Sequence, residues 1–175
     1  MFRRNQSGGQ SPNQPTLDAM NEQINNEFAS AYAYLSMSAY CESLTLPGFA
    51  RWLFVQSQEE VEHAMKFYNF ILDRGGNVVL RTIEQPPNTF DSPLDVFQKA
   101  LENEQQVTAQ IHALYDMALK QGDYPSQEFL HWFINEQVEE EKITSDAVAR
   151  LTLAGDHPEA LLMLDNEFGS REDEE

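Results

Sequence analysis

Glu60 and His63 stand three residues apart, as do Gln137 and Glu140, and each pair lies in a stretch patterned for a buried helix. That spacing brings two side chains onto nearly the same helical face, one turn apart. A carboxylate supplies hard oxygen donors that can bridge two ions, and neutral imidazole supplies nitrogen, a combination suited to iron, manganese or zinc. A single Glu-x-x-His pair in an acidic helix is usually solvated, so this spacing alone decides little. Two more carboxylates add weight: Glu27 lies among Ile24, Phe28 and Ala31, and Glu104 lies between Leu101 and Val107. Buried carboxylates are costly unless cations or hydrogen bonds compensate them. Four such positions on four apolar-faced helices would close a carboxylate-rich site inside a bundle. We therefore expect Glu27, Glu60 and His63 around one iron, Glu60 and Glu104 at a second, and Glu140 near the latter. Gln137 is a weak oxygen donor or an orienter of water, and Tyr34, two turns beyond Glu27, is placed to hydrogen-bond a ligand or donate an electron.

Periodicity supplies the elements that must position these groups. From about Leu17 to Ser43, Leu17, Met20, Ile24, Phe28, Ala31, Leu35 and Ser38 recur at three and four, the signature of a helix, which Pro47 and Gly48 then punctuate. A second helix is predicted from about Phe49 to Arg74, with Trp52, Gln56, Glu60, His63 and Phe67 near one stripe, and Gly75 and Gly76 ending it. The segment from Asn77 to Ser92 contains two adjacent prolines that no helix interior accepts, so it reads as a crossover along the length of a bundle. A third helix opens behind Ser92 with Pro93 at its first position and runs through Leu94, Phe97, Leu101, Glu104, Val107, Ile111, Leu114 and Met117 to near Lys120 and Gly122. The fourth starts near Pro125 or Ser126 and stops around Leu153 to Gly155; the short link before it implies antiparallel neighbours. Asp156 and Pro158 begin a shorter fifth helix through Phe168. The expected fold class is all-α: an up-down-down-up four-helix bundle with a long crossover and a short fifth C-terminal helix. Residues 1–15 read as a flexible N-terminal tail, 16–169 as the bundle with its fifth helix, and 170–175 as an acidic C-terminal tail.

A chain of 175 residues suffices for one domain with a substantial core and no disulfides. The lone Cys41 agrees with a reducing compartment. Eleven basic against twenty-nine acidic residues give a net charge of −18, which repels nucleic-acid backbone and concentrates cations. No nucleic-acid partner is therefore expected. No run resembles a membrane span or a signal-peptide core, so no membrane association is expected either.

The stretches NNEFASAYAYLSMSAYC, QSQEEVEHAMKF and DYPSQEFLHWFINEQVEEE together resemble the ferritin family, of the bacterial non-haem type, over nearly the whole chain after the first fifteen or so residues. The resemblance implies a ferroxidase centre at Glu27, Glu60, His63, Glu104 and Glu140, with Gln137 beside the second iron. It also implies a third iron position at Glu59, Glu136 and Glu139, sharing Glu140, and it makes Tyr34 the redox-active tyrosine. Such proteins oxidise ferrous iron with dioxygen or peroxide and store ferric mineral in a hollow self-assembled cage of 24 copies. Haem is not expected: Val61 follows Glu60 where haem-containing relatives place Met, and Gln137-x-x-Glu140 replaces their second Glu-x-x-His pair. The implied location is cytoplasmic, with a plastid left open. Glu62 is a candidate guide for iron, and Asp123 and Glu128 are candidates for lining a channel between subunits. Two other functions fit the pattern less fully: a di-iron oxygenase or peroxidase of the same bundle class, and a scaffold whose acids are merely solvated.

Overall fold

The computed structural model describes residues 14–170. Among the described residues five helices follow one another: α1 (Gln14–Ser43), α2 (Pro47–Asp73), α3 (Pro93–Gln121), α4 (Tyr124–Ala154) and α5 (Pro158–Phe168). The expected N-terminal tail falls mostly outside the described residues, as do 171–175 of the acidic end; Gln14 and Pro15 open α1. No described helix is long and apolar enough to cross a membrane.

Local chemistry sets the boundaries. Ser92 caps α3 by accepting a hydrogen bond from the Asp95 amide at 3.1 Å, and Pro93 occupies the first turn, where its missing N–H costs nothing. Gly122, at φ 63°, ends α3 in the left-handed conformation, which lets the chain reverse within a few residues. Asp123 then caps α4, accepting from the Ser126 amide at 3.4 Å and the Ser126 hydroxyl at 2.8 Å.

Cross-helix contacts fix the directions. Thr16 meets Gln121 and Ser30 meets Asn103, so α1 and α3 run antiparallel. Gln56 meets Glu140 and Phe67 stacks on Phe133 and packs against Phe129, so α2 and α4 do the same. With α1–α2 and α3–α4 as hairpin-like pairs, the order is up-down-down-up. The crossover lies along α1: Asn21 Nδ2 donates to the Asn77 carbonyl at 3.0 Å, the Val79 amide donates to Asn21 Oδ1 at 2.8 Å, and Ser36 Oγ donates to the Pro87 carbonyl at 2.6 Å. α5 closes one end of the bundle, where Phe168 meets Phe49, Trp52 and Phe97 edge-on or tilted.

The core has two apolar clusters. One, near α5, contains Tyr34, Met37, Phe49, Leu53, Phe97 and Leu151; the other contains Met20, Ile24, Phe67, Ile71, Ile111 and Leu130. A belt of buried polar groups lies between them.

The inward line of α1 differs from the expected stripe. It passes through Met20, Ile24, Glu27, Ala31, Tyr34, Met37 and Cys41, while Leu35 is 42% exposed and Phe28 and Ser38 are half-buried. The two lines share Ala31; choosing the more apolar Phe28 and Leu35 over Glu27 and Tyr34 puts the expected stripe one residue round the helix at those turns, about 100°. The true line carries a carboxylate because this core is polar at its middle. On α3, likewise, Ala100 is buried and Leu101 only half-buried.

Candidate metal centre

Each long helix contributes its midpoint to the polar belt. α1 brings Glu27 and Tyr34, seven residues and two turns apart on one face; α2 brings Gln56, Glu60 and His63; α3 brings Glu104; α4 brings Gln137 and Glu140. All eight side chains are buried. One donor atom from each of Glu27, Glu60 and His63 lies within 4.8 Å of the others, close enough for a single cation to engage all three. Glu27 Oε2 and Glu60 Oε2 are buried without hydrogen-bond partners. An uncompensated buried carboxylate oxygen is costly, and a cation at this position compensates both.

Glu104 and Glu140 are better supported. Tyr34 Oη donates to Glu104 Oε1, and Gln137 Nε2 lies 3.3 Å from Glu104 Oε2 and 3.2 Å from its carbonyl oxygen. Gln56 Nε2 donates to Glu140 Oε2 at 2.8 Å. On the other side of His63, Nε2 lies 3.8 Å from Glu136 Oε1, while Nδ1 lies 3.7 Å from Glu60 Oε2. The ring is held edge-on by Trp132 at 5.4 Å and Phe133 at 5.8 Å between centroids.

The electrostatics match a site that needs positive charge. Burial pushes the Glu27 carboxyl well above the ordinary range, and the adjacent Glu60 adds to it. Glu60 is raised by burial and by the neighbouring charge of Glu104. Glu104 is raised by burial although Tyr34 and Gln137 favour its charge. Glu140 is pushed up to about 8 by burial, then by Glu104 and Glu59. Burial disfavours a charged His63, yet Glu136, Glu27 and Glu140 outweigh it and raise its pKa. Tyr34 is raised by burial and by Glu104, so it stays a phenol. Without cations these carboxyls retain protons; bound cations would displace them.

Around this cluster, Glu59 and Glu136 are half-buried and Glu139 is exposed, so the three expected at a further position differ in depth. Glu62 and Glu128 are exposed, and Glu128 Oε2 lies 3.6 Å from His131 Nδ1. Asp123 is buried, caps α4, and pairs with Arg74 at 3.0 Å, so its charge is already committed to the fold.

Sequence reasoning gave no role to two glutamines. Gln23 is 2% exposed and donates to Glu27 Oε1 at 2.9 Å; Gln56 is fully buried and holds Glu140. Gln56 stands four residues before Glu60 and already lay on the expected α2 stripe; Gln23 stands four residues before Glu27, a spacing that could have marked it as lying on the site's face.

A ferritin-like domain profile matches residues 17–154. The chain belongs to the ferritin family. It is 39% identical over 155 residues to the bacterial non-heme ferritin of Staphylococcus aureus strain USA300, covering 89% of this chain and 93% of that one. The Staphylococcus saprophyticus protein of the same name is 39% identical over 159 residues, with 91% and 95% covered. Among solved structures, the open-pore ferritin of the archaeon Archaeoglobus fulgidus superimposes with a TM-score of 0.90 at 45% identity, covering 94% of this ferritin and all of that chain. A humanized archaeal ferritin gives 0.91 at 43% identity, with 93% and 98% covered.

Proposed function

We propose that this ferritin is a ferroxidase and iron-storage subunit, oxidising ferrous iron at the buried four-helix site. The observation that carries the reading is the convergence of Glu27, Glu60 and His63 within 4.8 Å, with two carboxylate oxygens left without partners. Ferrous iron is the substrate. Glu27, Glu60 and His63 hold one ion; Glu60, Glu104 and Glu140 hold the second, with Gln137 beside it. Glu59, Glu136 and Glu139, sharing Glu140, form a third and shallower position through which iron passes. Tyr34 stands within reach as an electron donor through its contact with Glu104.

Two ferrous ions yield one electron each, and dioxygen takes both electrons with two protons to become hydrogen peroxide. Holding the pair side by side makes this two-electron step possible without a free one-electron product. Burial favours the protonated form of these carboxyls, so iron binding releases protons beside the reacting pair. Ferric product leaves for the interior of a self-assembled cage of 24 subunits, where it is stored as mineral. The bundle with α5 acts as the single folding unit of each subunit.

Replacing Glu60 with Ala is the direct test, because Glu60 alone stands between both iron positions. Stopped-flow oxidation and anaerobic ferrous binding are expected to fall by at least roughly tenfold, while the assembly keeps its size. Undiminished oxidation in an assembled Glu60→Ala protein would remove the site from the mechanism.

A further inference from the structure

The two sides of the site differ in chemistry. Half-buried Glu59, beside Glu60 and Glu140, and half-buried Glu136, beside His63, give the α2–α4 side carboxylates at the edge of the site. On the α1–α3 side a recess of about 130 Å³ is lined by the amides and hydroxyl of Asn26, Ser30, Asn103, Gln106 and Gln110 together with Ala29 and Val107, none of which carries a charge. A few water-sized molecules fit such a volume.

Two hydrogen-bonded links lead inward from it. Gln110 Oε1 accepts from Gln23 Nε2 at 3.1 Å, and the same amide nitrogen donates to Glu27 Oε1 at 2.9 Å. Ser30 Oγ donates to Asn103 Oδ1 at 3.2 Å, drawing α1 and α3 together beside Glu104. Asn103 Nδ2 is buried without a partner in hydrogen-bond geometry, although the Asn103 amide favours the charged form of Glu104. A buried donor of this kind calls for an acceptor.

We propose that this recess admits hydrogen peroxide to the iron pair, with the Ser30–Asn103 hydrogen bond as its inner latch. The inference rests on the ferroxidase reading. Peroxide is small and uncharged, and it both donates and accepts hydrogen bonds, so it matches an amide and hydroxyl lining and supplies the oxygen that Asn103 Nδ2 lacks. Dioxygen donates none and accepts only weakly, so the amides and the hydroxyl give it no advantage and only Ala29 and Val107 favour it. A ferrous ion would shed hydration in a passage without a carboxylate, and the α2–α4 side offers carboxylates instead. Once inside, the peroxide O–O bond breaks as each of two ferrous ions gives one electron, leaving two ferric ions and two hydroxides.

Ala29→Phe fills the recess without touching a site carboxylate. In the assembled variant the second-order rate constant for peroxide-driven ferrous oxidation is expected to fall at least ~5-fold, and the dioxygen-driven constant to change by less than ~2-fold. Anaerobic ferrous binding should keep both its stoichiometry and its rate. Ser30→Ala, which opens the latch, should raise the peroxide constant. If Ala29→Phe does not assemble, Gln106→Trp closes the same recess from α3 and carries the same expectations. Equal slowing with both oxidants, no slowing with peroxide, or slowed ferrous binding would each overturn the proposal. Failure of the unaltered protein to oxidise ferrous iron with either oxidant would remove the ferroxidase reading itself, an outcome distinct from a changed oxidant ratio.

Discussion

Glu140 holds its proton up to about pH 8 because burial separates it from water and Glu104 and Glu59 repel its charge. In the unfolded chain the same group titrates near the ordinary value of 4.5. The folded state therefore binds this proton more tightly, and the resulting stability is fully present below that ordinary value. It is lost as pH rises through the folded value. Glu27, Glu60 and Glu104 shift in the same direction for the same first cause. Chelator-treated protein should accordingly melt at a lower temperature at about pH 9 than at about pH 6, each pH unit of a single group's window weighing about 1.4 kcal/mol. Added divalent cation should restore more of the lost stability at the higher pH, because its ligands must be deprotonated. A metal-free melting temperature that rises across that interval would contradict the burial argument. Of these residues, the donor types and their helical spacing were readable in the sequence. The hydrogen bonds from Gln23 and Gln56 were not, since an amide four residues from a carboxylate takes a role only when the packing buries both.

α5 is held by a close approach that only glycine permits. A Cβ added at Gly48 would lie 1.7 Å from the Asp165 carbonyl oxygen, and Gly169 also passes close to Gly48. The Asp165 side chain accepts from the Phe49 amide at 2.8 Å and so satisfies a first-turn donor of α2. Gly48→Ala should cost about 1–3 kcal/mol through this overlap and loosen α5, seen as faster hydrogen exchange in residues 158–168 with α3 unaffected. Unchanged exchange there would mean that the aromatic contacts of Phe168 anchor the helix by themselves. The elements themselves were legible: proline and glycine punctuation, the cap at Ser92 and the crossover prolines all act locally. The phase of α1 was not. Phe28 and Leu35 are more apolar than Glu27 and Tyr34, and nothing local reveals that the bundle centre is polar.

At the scale of the molecule, a belt of carboxylates separates two apolar clusters, and the surrounding chain carries a charge of −18. The α5 surface leaves Leu162 and Met163 53% and 73% exposed, apolar area of the kind that association between chains covers. The proposed assembly of 24 chains of 20.0 kDa would have a mass of roughly 480 kDa, which light scattering would resolve from a small oligomer. After aerobic loading the assembly should retain many more iron atoms than its oxidation centres require. A small oligomer that keeps only two or three per chain would favour a di-iron oxygenase instead, on the ligand count proposed above.

The sequence by itself determined what short-range chemistry decides: helices from a period of about 3.6, boundaries from proline, glycine and capping side chains, and a donor set of carboxylates and one imidazole. That Glu27, Glu60 and His63 would share an ion was already expected from the sequence; only the tertiary structure decided that their donor atoms lie within 4.8 Å of one another. Convergence of Glu27, Glu60 and His63 depends on the rotation of two helices about their axes, which long-range packing sets and no local pattern encodes. The same packing turned Asp123 inward onto Arg74 and left Asn103 Nδ2 without a partner at the edge of the site, because burial and partnership belong to pairs of segments distant in the chain.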